Sequence, residues 1–279
     1  MKTKQRARTV ALGGFQDRFD TDRLRAALPA RGFGRVLRYS DQVTSTNDVI
    51  LDMAEDGAPH GAVCLAEEQT DGRGRRGYRW YSPPGCGIWA SVLLRPCLSA
   101  SRTPPLTLCA AAAVARALEA TAGVTVEIKW PNDLLIRNRK VAGMLAETRV
   151  TASDEPVVVV GMGINVNHTR ALFPEDISES ATSLRIESGG PFARQDLFLA
   201  ILASFESAYE RFLGSGPGSL IAEVNARLAW RGRLVEAESP AGAAGRLSRV
   251  DEEGGLLLEG ENRGAVVIRS GSIRLRPDR

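Results

Sequence analysis

Histidine is nearly absent from this sequence of 279 residues, which contains only His60 and His168. Neither stands beside a serine or a cysteine in a recognisable nucleophile motif, so catalysis by an activated serine or cysteine has little support. We expect both histidines to be surface or loop residues. No C-x-x-C pair occurs, which argues against a zinc site or a disulfide framework and predicts reduced thiols. The four cysteines are Cys64, Cys86, Cys97 and Cys109.

Long apolar runs and strong net charge are also missing. No apolar stretch approaches the length of a membrane span, and the stretch 10–12 after the basic N-terminus is too short for a signal-peptide core. The absence of a targeting signal predicts a cytoplasmic protein. The formal net charge is only +3, which gives no strong case for binding nucleic acid or a membrane. We therefore expect neither partner.

The two common phosphate-binding fingerprints are absent as well. No G-x-x-x-x-G-K-[ST] loop occurs anywhere in the chain. Gly161 and Gly163 begin a dinucleotide-type pattern, but Val166 stands where the third glycine is required. Both absences argue against Walker-type and Rossmann-type nucleotide binding.

Apolar patterning predicts an α/β (α+β) fold with a mixed sheet flanked by helices. Helices are predicted at 20–28, 47–55, 105–122, 191–213 and 217–230. Strands are predicted at 62–67, 87–94, 126–130, 134–137, 140–149 and 157–160. From residue 231, short apolar runs at 234–237, 245–250, 256–258 and 265–268 alternate with turns, which is typical of a small antiparallel barrel. We therefore divide the chain into an extension (1–35), a main domain (36–230) and a C-terminal domain (231–279).

The most informative segment is a Gly/Arg loop, 70–79, between two predicted strands. Its core reads Gly72-Arg73-Gly74-Arg75-Arg76-Gly77. Glycines let the backbone approach a ligand, and arginine forks match carboxylate and phosphate oxygens. A solvated basic loop that touches RNA is the alternative reading, although a disordered RNA-binding segment would not lie between two buried strands. Because Asp71 is the only carboxylate nearby in the sequence, we expect the loop to stay open until an anion binds.

Two further segments carry polar groups at the ends of predicted elements. Lys129-Trp130-Pro131-Asn132-Asp133 forms a turn between strands, and Lys140 enters the next strand before the small residues Ala142 and Gly143. An ordinary hairpin with exposed lysines is the alternative. Ser45-Thr46-Asn47 precedes a helix, and Ser45 with Asp48 resembles a capping box that has Asp in place of Glu.

Taken in order, these segments resemble the biotin–protein ligase family over residues 38–279. The matching residues are Ser45-Thr46-Asn47, Glu68-Gln69, the Gly/Arg loop, Trp80 with Ser82-Pro83, Lys129 to Asp133, Lys140 with Ala142-Gly143, and Gly163-Ile164-Asn165. The resemblance implies a catalytic domain related to lipoate ligases and class II synthetases, followed by a small SH3-like barrel. It also implies biotin, ATP and Mg²⁺ as reactants and a lysine of a biotin carboxyl carrier protein as the acceptor.

The resemblance also assigns roles to individual residues. The implied biotin pocket comprises Ser45, Thr46, Asn47, Gln69, Gly72, Arg73, Gly74, Arg75, Lys140 and Gly143. The implied ATP and adenylate contacts are Arg75, Arg76, Trp80, Asn132 and Asn165. The expected catalytic groups are Arg73, Arg75, Lys129, Lys140 and Asp133. Asp133 either orients a lysine or assists the incoming amine. No protein metal ligands are assigned.

The chemistry needs no histidine. Activation brings a carboxylate and a triphosphate together, so positioning and fixed positive charge are the main requirements. At position 78 many relatives carry an arginine, whereas this chain has Tyr78, and Arg79 faces the other way if the segment is extended.

Three alternatives to a monofunctional biotin ligase remain at this stage. A lipoate–protein ligase shares the first reaction step. A bifunctional ligase and DNA-binding repressor requires about 60 residues of winged helix-turn-helix before the main domain, where only about 35 glycine-containing residues are present. A non-catalytic RNA-binding protein requires affinity that falls with salt. We expect a monomer or a weak homodimer.

Overall fold

A seven-stranded sheet forms the centre of the protein, and a five-stranded sheet follows it in the chain. The computed structural model describes residues 17–28, 31–96, 103–152, 154–238, 243–260 and 264–276. Cys97, Pro29 and positions 1–16 of the predicted extension lie outside the described residues. The strands of the first sheet are β1 (Leu37–Val43), β2 (Val63–Gln69), β3 (Gly87–Leu94), β4 (Glu127–Lys129), β5 (Asp133–Ile136), β6 (Arg139–Val150) and β7 (Pro156–Asn165).

The first sheet is mixed, as the sequence predicts. Its spatial order is β1-β2-β3-β7-β6-β5-β4. β1 and β2 run parallel, and every other neighbouring pair is antiparallel. β3 is buried along its whole length, because strands cover both its edges and helices cover its faces. β3 is therefore almost wholly apolar instead of alternating, with Ser91 as its polar residue.

Helices cover both faces of this sheet. They are α1 (Thr21–Ala27), α2 (Thr46–Glu55), α3 (Thr103–Ala122), α4 (Leu184–Ser188), α5 (Arg194–Ser215) and α6 (Gly218–Ala226). On one face α2 packs Ile50 and Ala54 against Cys64 and Val159. On the other face α3, α5 and α6 contribute to one large apolar core. None of the described helices is long and apolar enough to cross a membrane.

The C-terminal strands form the second sheet, which confirms the small antiparallel β-domain predicted for the C-terminal part of the chain. They are β8 (Leu234–Glu238), β9 (Ala244–Val250), β10 (Leu256–Glu259), β11 (Ala265–Ile268) and β12 (Ser272–Leu275). All pairings are antiparallel, in the order β11-β10-β9-β8-β12. β12 was not predicted, because it is only four residues long and just two of them are apolar.

The end of α6 corrects one sequence prediction. A helix was expected over 217–230, but α6 ends at Ala226. The chain then runs beside β4: Ile128 donates its N–H to Arg227 O at 2.7 Å, and Ala229 donates to Ile128 O at 3.0 Å. These sheet-type hydrogen bonds replace those of another helical turn. The chain is thus led along the sheet edge towards the C-terminal strands.

His168 also departs from expectation. It lies in a loop, as predicted, but it is fully buried and stacks on Phe173 with ring centroids 4.8 Å apart. Its Nε2 lies 3.3 Å from Sγ of Cys86. Burial lowers the pKa of His168 to about 3 and raises that of Cys86 to about 12. Both groups are therefore neutral packing partners at neutral pH and not a nucleophile with its base.

A fully buried arginine ties the N-terminal segment to the core. Arg194 at the start of α5 is 0% exposed and donates from Nη2 to Glu67 Oε2 at 2.9 Å and from Nε to Asp17 Oδ2 at 3.1 Å. Its Nη1 donates to Gly87 O at 2.9 Å. Glu67 in turn accepts from the Phe19 N–H and the Tyr39 hydroxyl. A buried charge of this kind is tolerated because its donors meet acceptors.

We predict that Arg194→Met destabilises the fold by about 3–5 kcal/mol, because it leaves two buried carboxylates without their cation. Urea unfolding of the purified protein measures the loss. Arg23→Met is the matched control. Arg23 of α1 makes an exposed ion pair with Asp196 of α5, the helix that also carries Arg194. Losing this exposed pair should cost at most about 1 kcal/mol. Equal losses in the two variants contradict a special role for burial.

Candidate functional site

A cavity lies on the sheet beside the N-terminus of α2. It has a volume of about 250 Å³. The Gly/Arg loop covers it, and Ser272 of β12 reaches its rim. Its lining includes these sequence-predicted residues: Ser45, Thr46, Asn47, Gln69, Arg73, Gly74, Arg75, Arg76, Trp80, Lys129, Asn132, Asp133, Lys140 and Gly143. Four separate segments of sequence are therefore brought to one cavity.

Two predicted residues do not line this cavity. Asn165 is buried and donates from Nδ2 to Thr182 O at 3.0 Å. Gly72 lies at the base of the loop, where a Cβ would come within 2.7 Å of both Ser82 Oγ and Trp80 O. Their positions support roles in holding the surrounding backbone.

The floor of the cavity is made of glycines on adjacent strands. Gly143 of β6 pairs directly with Gly163 of β7. A Cβ on Gly163 would lie 2.5 Å from Nε1 of Trp80, and a Cβ on Gly143 would lie 3.0 Å from the same ring. A Cβ on Gly161 would lie 2.3 Å from Asn47 Oδ1. The glycines therefore let an indole and an amide approach the sheet closely.

One wall is a polar network below the N-terminus of α2. Gln69 Oε1 accepts from the backbone N–H of Thr46 at 2.9 Å and from its hydroxyl at 3.0 Å. Gln69 Nε2 donates to Ser82 Oγ at 2.9 Å. Ser91 donates its hydroxyl proton to Asn47 Oδ1 at 2.6 Å, and its Oγ also lies 2.7 Å from Thr46 Oγ1. Such mutual bonding fixes the orientation of each side chain before any ligand binds.

Ser91 was missed at the sequence level, although it stands out as the polar residue within the apolar strand β3. Ser45, by contrast, corrects a prediction. It is the N-cap residue of α2, but its side chain makes no capping hydrogen bond. The expected capping box with Asp48 does not form, because the Asp48 carboxylate binds Arg73 instead. The Ser45 hydroxyl is left facing the cavity.

The Gly/Arg loop closes over the cavity as a short hairpin. Trp80 N–H donates to Gly72 O, and Gly74 N–H donates to Tyr78 O, both at 2.7 Å. Arg76 adopts φ +56°, which turns the chain at the tip of the loop. Tyr78 is 74% exposed, and Arg79 donates to Thr70 O at 2.8 Å. Arg79 thus braces the base of the loop.

The arginines of the loop have more partners than the sequence suggests. Arg73 pairs with Asp48 and Glu147, and Arg76 pairs with Glu238 of β8. The expectation that Asp71 is the only carboxylate nearby is therefore wrong: the carboxylates come from distant parts of the chain. Hydrogen bonding to Asp48 raises the pKa of Arg73.

Arg75, like Arg79, has no carboxylate partner among the described residues. It donates to Gly271 O at 2.8 Å and lies 3.5 Å from Asn132 Oδ1, so both partners are uncharged. Burial, and then repulsion from Arg76, lower the pKa of its guanidinium. An arginine remains charged in any case. A half-buried cation whose bonded partners are neutral is suited to receive an anion.

Two lysines complete the positive wall of the cavity. Lys140 Nζ lies 2.6 Å from Asp133 Oδ1 and 4.9 Å from the centroid of Trp80. Lys129 Nζ lies over the ring of Trp230 at 5.2 Å. The backbone of Lys140 is fixed by hydrogen bonds to Ser180 O and from Thr182 N, both 2.8 Å.

The cavity therefore attracts anions. Among the described residues its lining holds six cations, Arg73, Arg75, Arg76, Arg79, Lys129 and Lys140, against the single carboxylate Asp133. Carboxylates outside the lining, at Asp48, Glu147 and Glu238, partly neutralise Arg73 and Arg76. The remaining positive excess favours phosphate or carboxylate groups in a partly buried site. The uncharged polar wall belongs to the same cavity. One ligand could thus bind the network through a neutral polar group while its anionic end lies among the cations.

Comparison with known proteins agrees with this geometry. A model of the biotin/lipoate A/B protein ligase family matches residues 39–166. The chain is 37% identical over 259 residues to the bifunctional ligase/repressor BirA of Bacillus spizizenii, covering 90% of this chain and 78% of that protein. It is 33% identical over 274 residues to a biotin–[acetyl-CoA-carboxylase] ligase of Mycobacterium tuberculosis, covering 92% and 99%.

A solved structure is also similar. The biotin protein ligase from Aquifex aeolicus, in complex with biotin and ATP, superimposes with a TM-score of 0.78 at 29% identity, covering 88% of this chain and 100% of that chain. These two relatives are matched over 78% and 99% of their own length. The chain therefore belongs to the biotin–protein ligase family.

Proposed function

We propose that this chain activates biotin with ATP and transfers it to a lysine of a biotin carboxyl carrier protein. A biotin carboxylate oxygen attacks the α-phosphorus of ATP, the bond from that phosphorus to the bridging oxygen breaks, and pyrophosphate leaves. The lysine amine then attacks the biotinyl carbonyl of the adenylate, loses a proton, and releases AMP. The observation that carries the proposal is that one cavity combines a preformed polar wall with a set of cations.

Biotin fits the polar end of this cavity. Its bicyclic head is uncharged but carries donors and acceptors, which suits the wall formed by Ser45, Thr46, Asn47 and Gln69. The ring of Trp80 and the bare backbone of Gly143 offer an apolar surface beside them. The valeryl chain would then extend towards Lys140, with its carboxylate among the cations.

The cationic end suits the triphosphate. Arg75 and Lys129 bear charge without a bonded carboxylate in the described structure, and Lys140 is held in place by Asp133. Fixed positive charge offsets the repulsion between the two anions and the charge that develops on the phosphoryl oxygens. We assign Arg76, Asn132 and Trp80 to the nucleotide side. Asp133 orients Lys140, which it binds at 2.6 Å. We also assign to Asp133 the acceptance of a proton from the incoming amine.

Mg²⁺ is compatible with these residues. Asp133 is the one carboxylate that lines the described part of the cavity, and Mg²⁺ often uses one carboxylate together with substrate phosphates. Bound there, the ion would neutralise charge on the phosphate oxygens. Arg75 and Lys129 supply positive charge of the same kind from the chain itself.

The loop excludes water from the adenylate. The hairpin at 72–80 lies across the cavity, and Arg75 and Arg76 reach acceptors on the C-terminal sheet, at Gly271 O and Glu238. A mixed anhydride is easily hydrolysed, so closing the cavity protects it. The C-terminal sheet thus keeps the Gly/Arg loop closed over the cavity.

The reaction is tested by incubating the protein with Mg-ATP, a biotin carrier domain and either biotin or lipoate. We expect pyrophosphate release and a lysine modified by biotin, detected by mass spectrometry. Lipoate should drive much less pyrophosphate release, because its dithiolane ring cannot bond the polar wall. Modification with lipoate in preference to biotin would identify a lipoate–protein ligase instead.

We predict that Lys140→Ala lowers the rate of biotin-dependent ATP–pyrophosphate exchange by about 10²–10³-fold, the loss typical of removing one charge-stabilising donor. Arg137→Ala is the matched control, because Arg137 lies in the same hairpin but is 76% exposed and pairs with Glu187. It should exchange at nearly the wild-type rate. An exchange rate for Lys140→Ala within a few-fold of wild type would contradict the assignment.

We also propose that the chain works as a ligase without sequence-specific DNA binding, as a monomer or weak homodimer. Between residues 17 and 36, the described part of the chain contains the single seven-residue helix α1, whose Asp20 cap binds Gln195 of α5. This segment packs on the main domain and presents no helix pair for a DNA groove. The cytoplasmic location expected from the sequence stays a prediction.

We expect no sequence-specific binding to a library of DNA duplexes at physiological salt, with or without biotinyl-adenylate. The ligase/repressor BirA of Bacillus spizizenii serves as the positive control in the same assay. Retention of particular sequences at nanomolar protein concentration would contradict a monofunctional enzyme and restore the bifunctional alternative.

A further inference from the structure

Arg73, the first arginine of the Gly/Arg loop, is held by a carboxylate from α2. Its Nη1 and Nη2 donate to Asp48 Oδ2 and Oδ1 at 2.7 and 2.5 Å. Glu147 Oε2 lies 3.6 Å from Nη2 on the far side. Glu147 is also engaged by Asn47 Nδ2 at 2.6 Å and by Arg149 at 3.6 Å. Asp48 is therefore the direct partner of Arg73, and Glu147 is a second, shared one.

This pair differs from an ordinary surface ion pair. Two parallel hydrogen bonds fix both the position and the plane of the guanidinium. The side chains of Arg73 and Asp48 are 34% and 40% exposed, and that of Glu147 is 18% exposed, so water screens the group only in part. The pair joins a glycine-rich loop to the first turn of a helix 25 residues earlier. Its main effect is to restrict where the loop can lie.

The charge balance gives Arg73 and Arg75 different tasks. Two carboxylates neutralise Arg73, which leaves it little charge to offer a phosphate. Arg75 has only neutral bonded partners and keeps its charge for the cavity. Arg73 thus serves as an anchor and Arg75 as the anion-binding group. This division departs from a loop in which every arginine contacts the ligand.

The hairpin transmits the anchor to the tip of the loop. The backbones of Arg73 and Arg79 form an antiparallel β-bridge across the hairpin, and the Gly74 N–H donates to Tyr78 O. These backbone contacts lie on one side of Arg75 in the chain, and the contact of Arg76 with Glu238 lies on the other. The position of the Arg75 backbone is therefore restricted. Holding Arg73 therefore holds Arg75 over the cavity.

We propose that Asp48 is a positioning residue of the ligase, which binds Arg73 and so keeps the Gly/Arg loop closed with Arg75 in place before ATP arrives. The proposal rests on the proposed function for its catalytic consequence, but not for the loop closure itself. Asp48 has no need to touch a substrate. Its removal raises the fraction of molecules in which the loop is open, and ligand binding must then supply the energy to close it.

The test compares Asp48→Asn, which keeps the shape and removes the charge, with wild type. Asp52→Asn is the matched control, since it removes the same charge one turn later on α2, where Asp52 is exposed and makes no ion pair with a described residue. Asp48→Glu keeps the carboxylate. Limited trypsin digestion of the ligand-free proteins reports loop opening at the arginines of 73–79, producing fragments of about 8 and 22 kDa from an exposed loop.

We expect the loop of Asp48→Asn to be cut about five- to tenfold faster than wild type, as loss of a partly screened bidentate pair implies. The KM for ATP in biotin-dependent pyrophosphate release should rise by a similar factor, with kcat within about twofold, because saturating ligand closes the loop again. Asp52→Asn should match wild type, and Asp48→Glu should recover most of the loss.

Three results would overturn the proposal. They are wild-type loop cleavage in Asp48→Asn, equal acceleration in Asp52→Asn, and a matching acceleration at trypsin sites throughout the chain, which would mean that the whole fold is weakened. A failure of the proposed function is separate. If no variant, wild type included, releases pyrophosphate with biotin while Asp48→Asn is still cut faster in the loop, the anchor stands and the substrate assignment falls.

Discussion

The close approach of an indole to bare backbone is the constraint on which the site depends. Gly143 and Gly163 lie opposite each other on adjacent strands, and only there can the ring of Trp80 rest on the sheet. The ring then lies beneath Nζ of Lys140. A methyl group at either glycine would lift the ring, and with it the end of the Gly/Arg loop. Loop, strand and lysine are thus positioned by the absence of two side chains.

Charge is distributed around that floor according to what each cation must do. Arg73 and Lys140 are held by carboxylates, at Asp48 and Asp133, and this fixes their position. Arg75 and Lys129 lie against carbonyls or a ring, so their charge is not cancelled by a bonded anion. An enzyme that must join two anions needs both kinds of cation. If no cation were bound to a carboxylate, no ion pair would hold the loop in place. If every cation were bound to one, the cavity would attract anionic substrates only weakly.

The sequence allowed the local features to be predicted, because they depend on neighbouring residues. The apolar run of β3 and the helix α2 were predicted nearly to the residue. The ordered motifs also identified most of the cavity lining. Two of the errors share one cause, which is competition from residues far away in the chain. The Asp48 carboxylate binds an arginine 25 residues later instead of forming the expected capping box. Helix α6 ends early because the following residues form sheet-type hydrogen bonds with Ile128.

His168 and Ser91 illustrate the same limit from the other side. Nothing in the residues adjacent to His168 announces that Cys86, Trp89 and Phe173 will enclose it. Ser91 looks like a weak point in an apolar strand until the fold places it beneath Thr46 and Asn47. A polar residue that interrupts a buried strand is a sequence signal worth following, since burial without a partner is costly.

The contacts between the loop and the C-terminal sheet have a consequence for how this protein can vary. Arg75 binds the main-chain oxygen of Gly271, and Arg76 binds the main-chain oxygen of Glu238 as well as its carboxylate. Main-chain oxygens are present whatever side chain a position carries. The small sheet can therefore exchange most of its surface residues and still hold the loop, provided that the strand ends at 238 and 271 keep their distance from the cavity. The contacts of the loop therefore depend on the backbone path of the C-terminal sheet. Insertions near positions 238 and 271 would disrupt them.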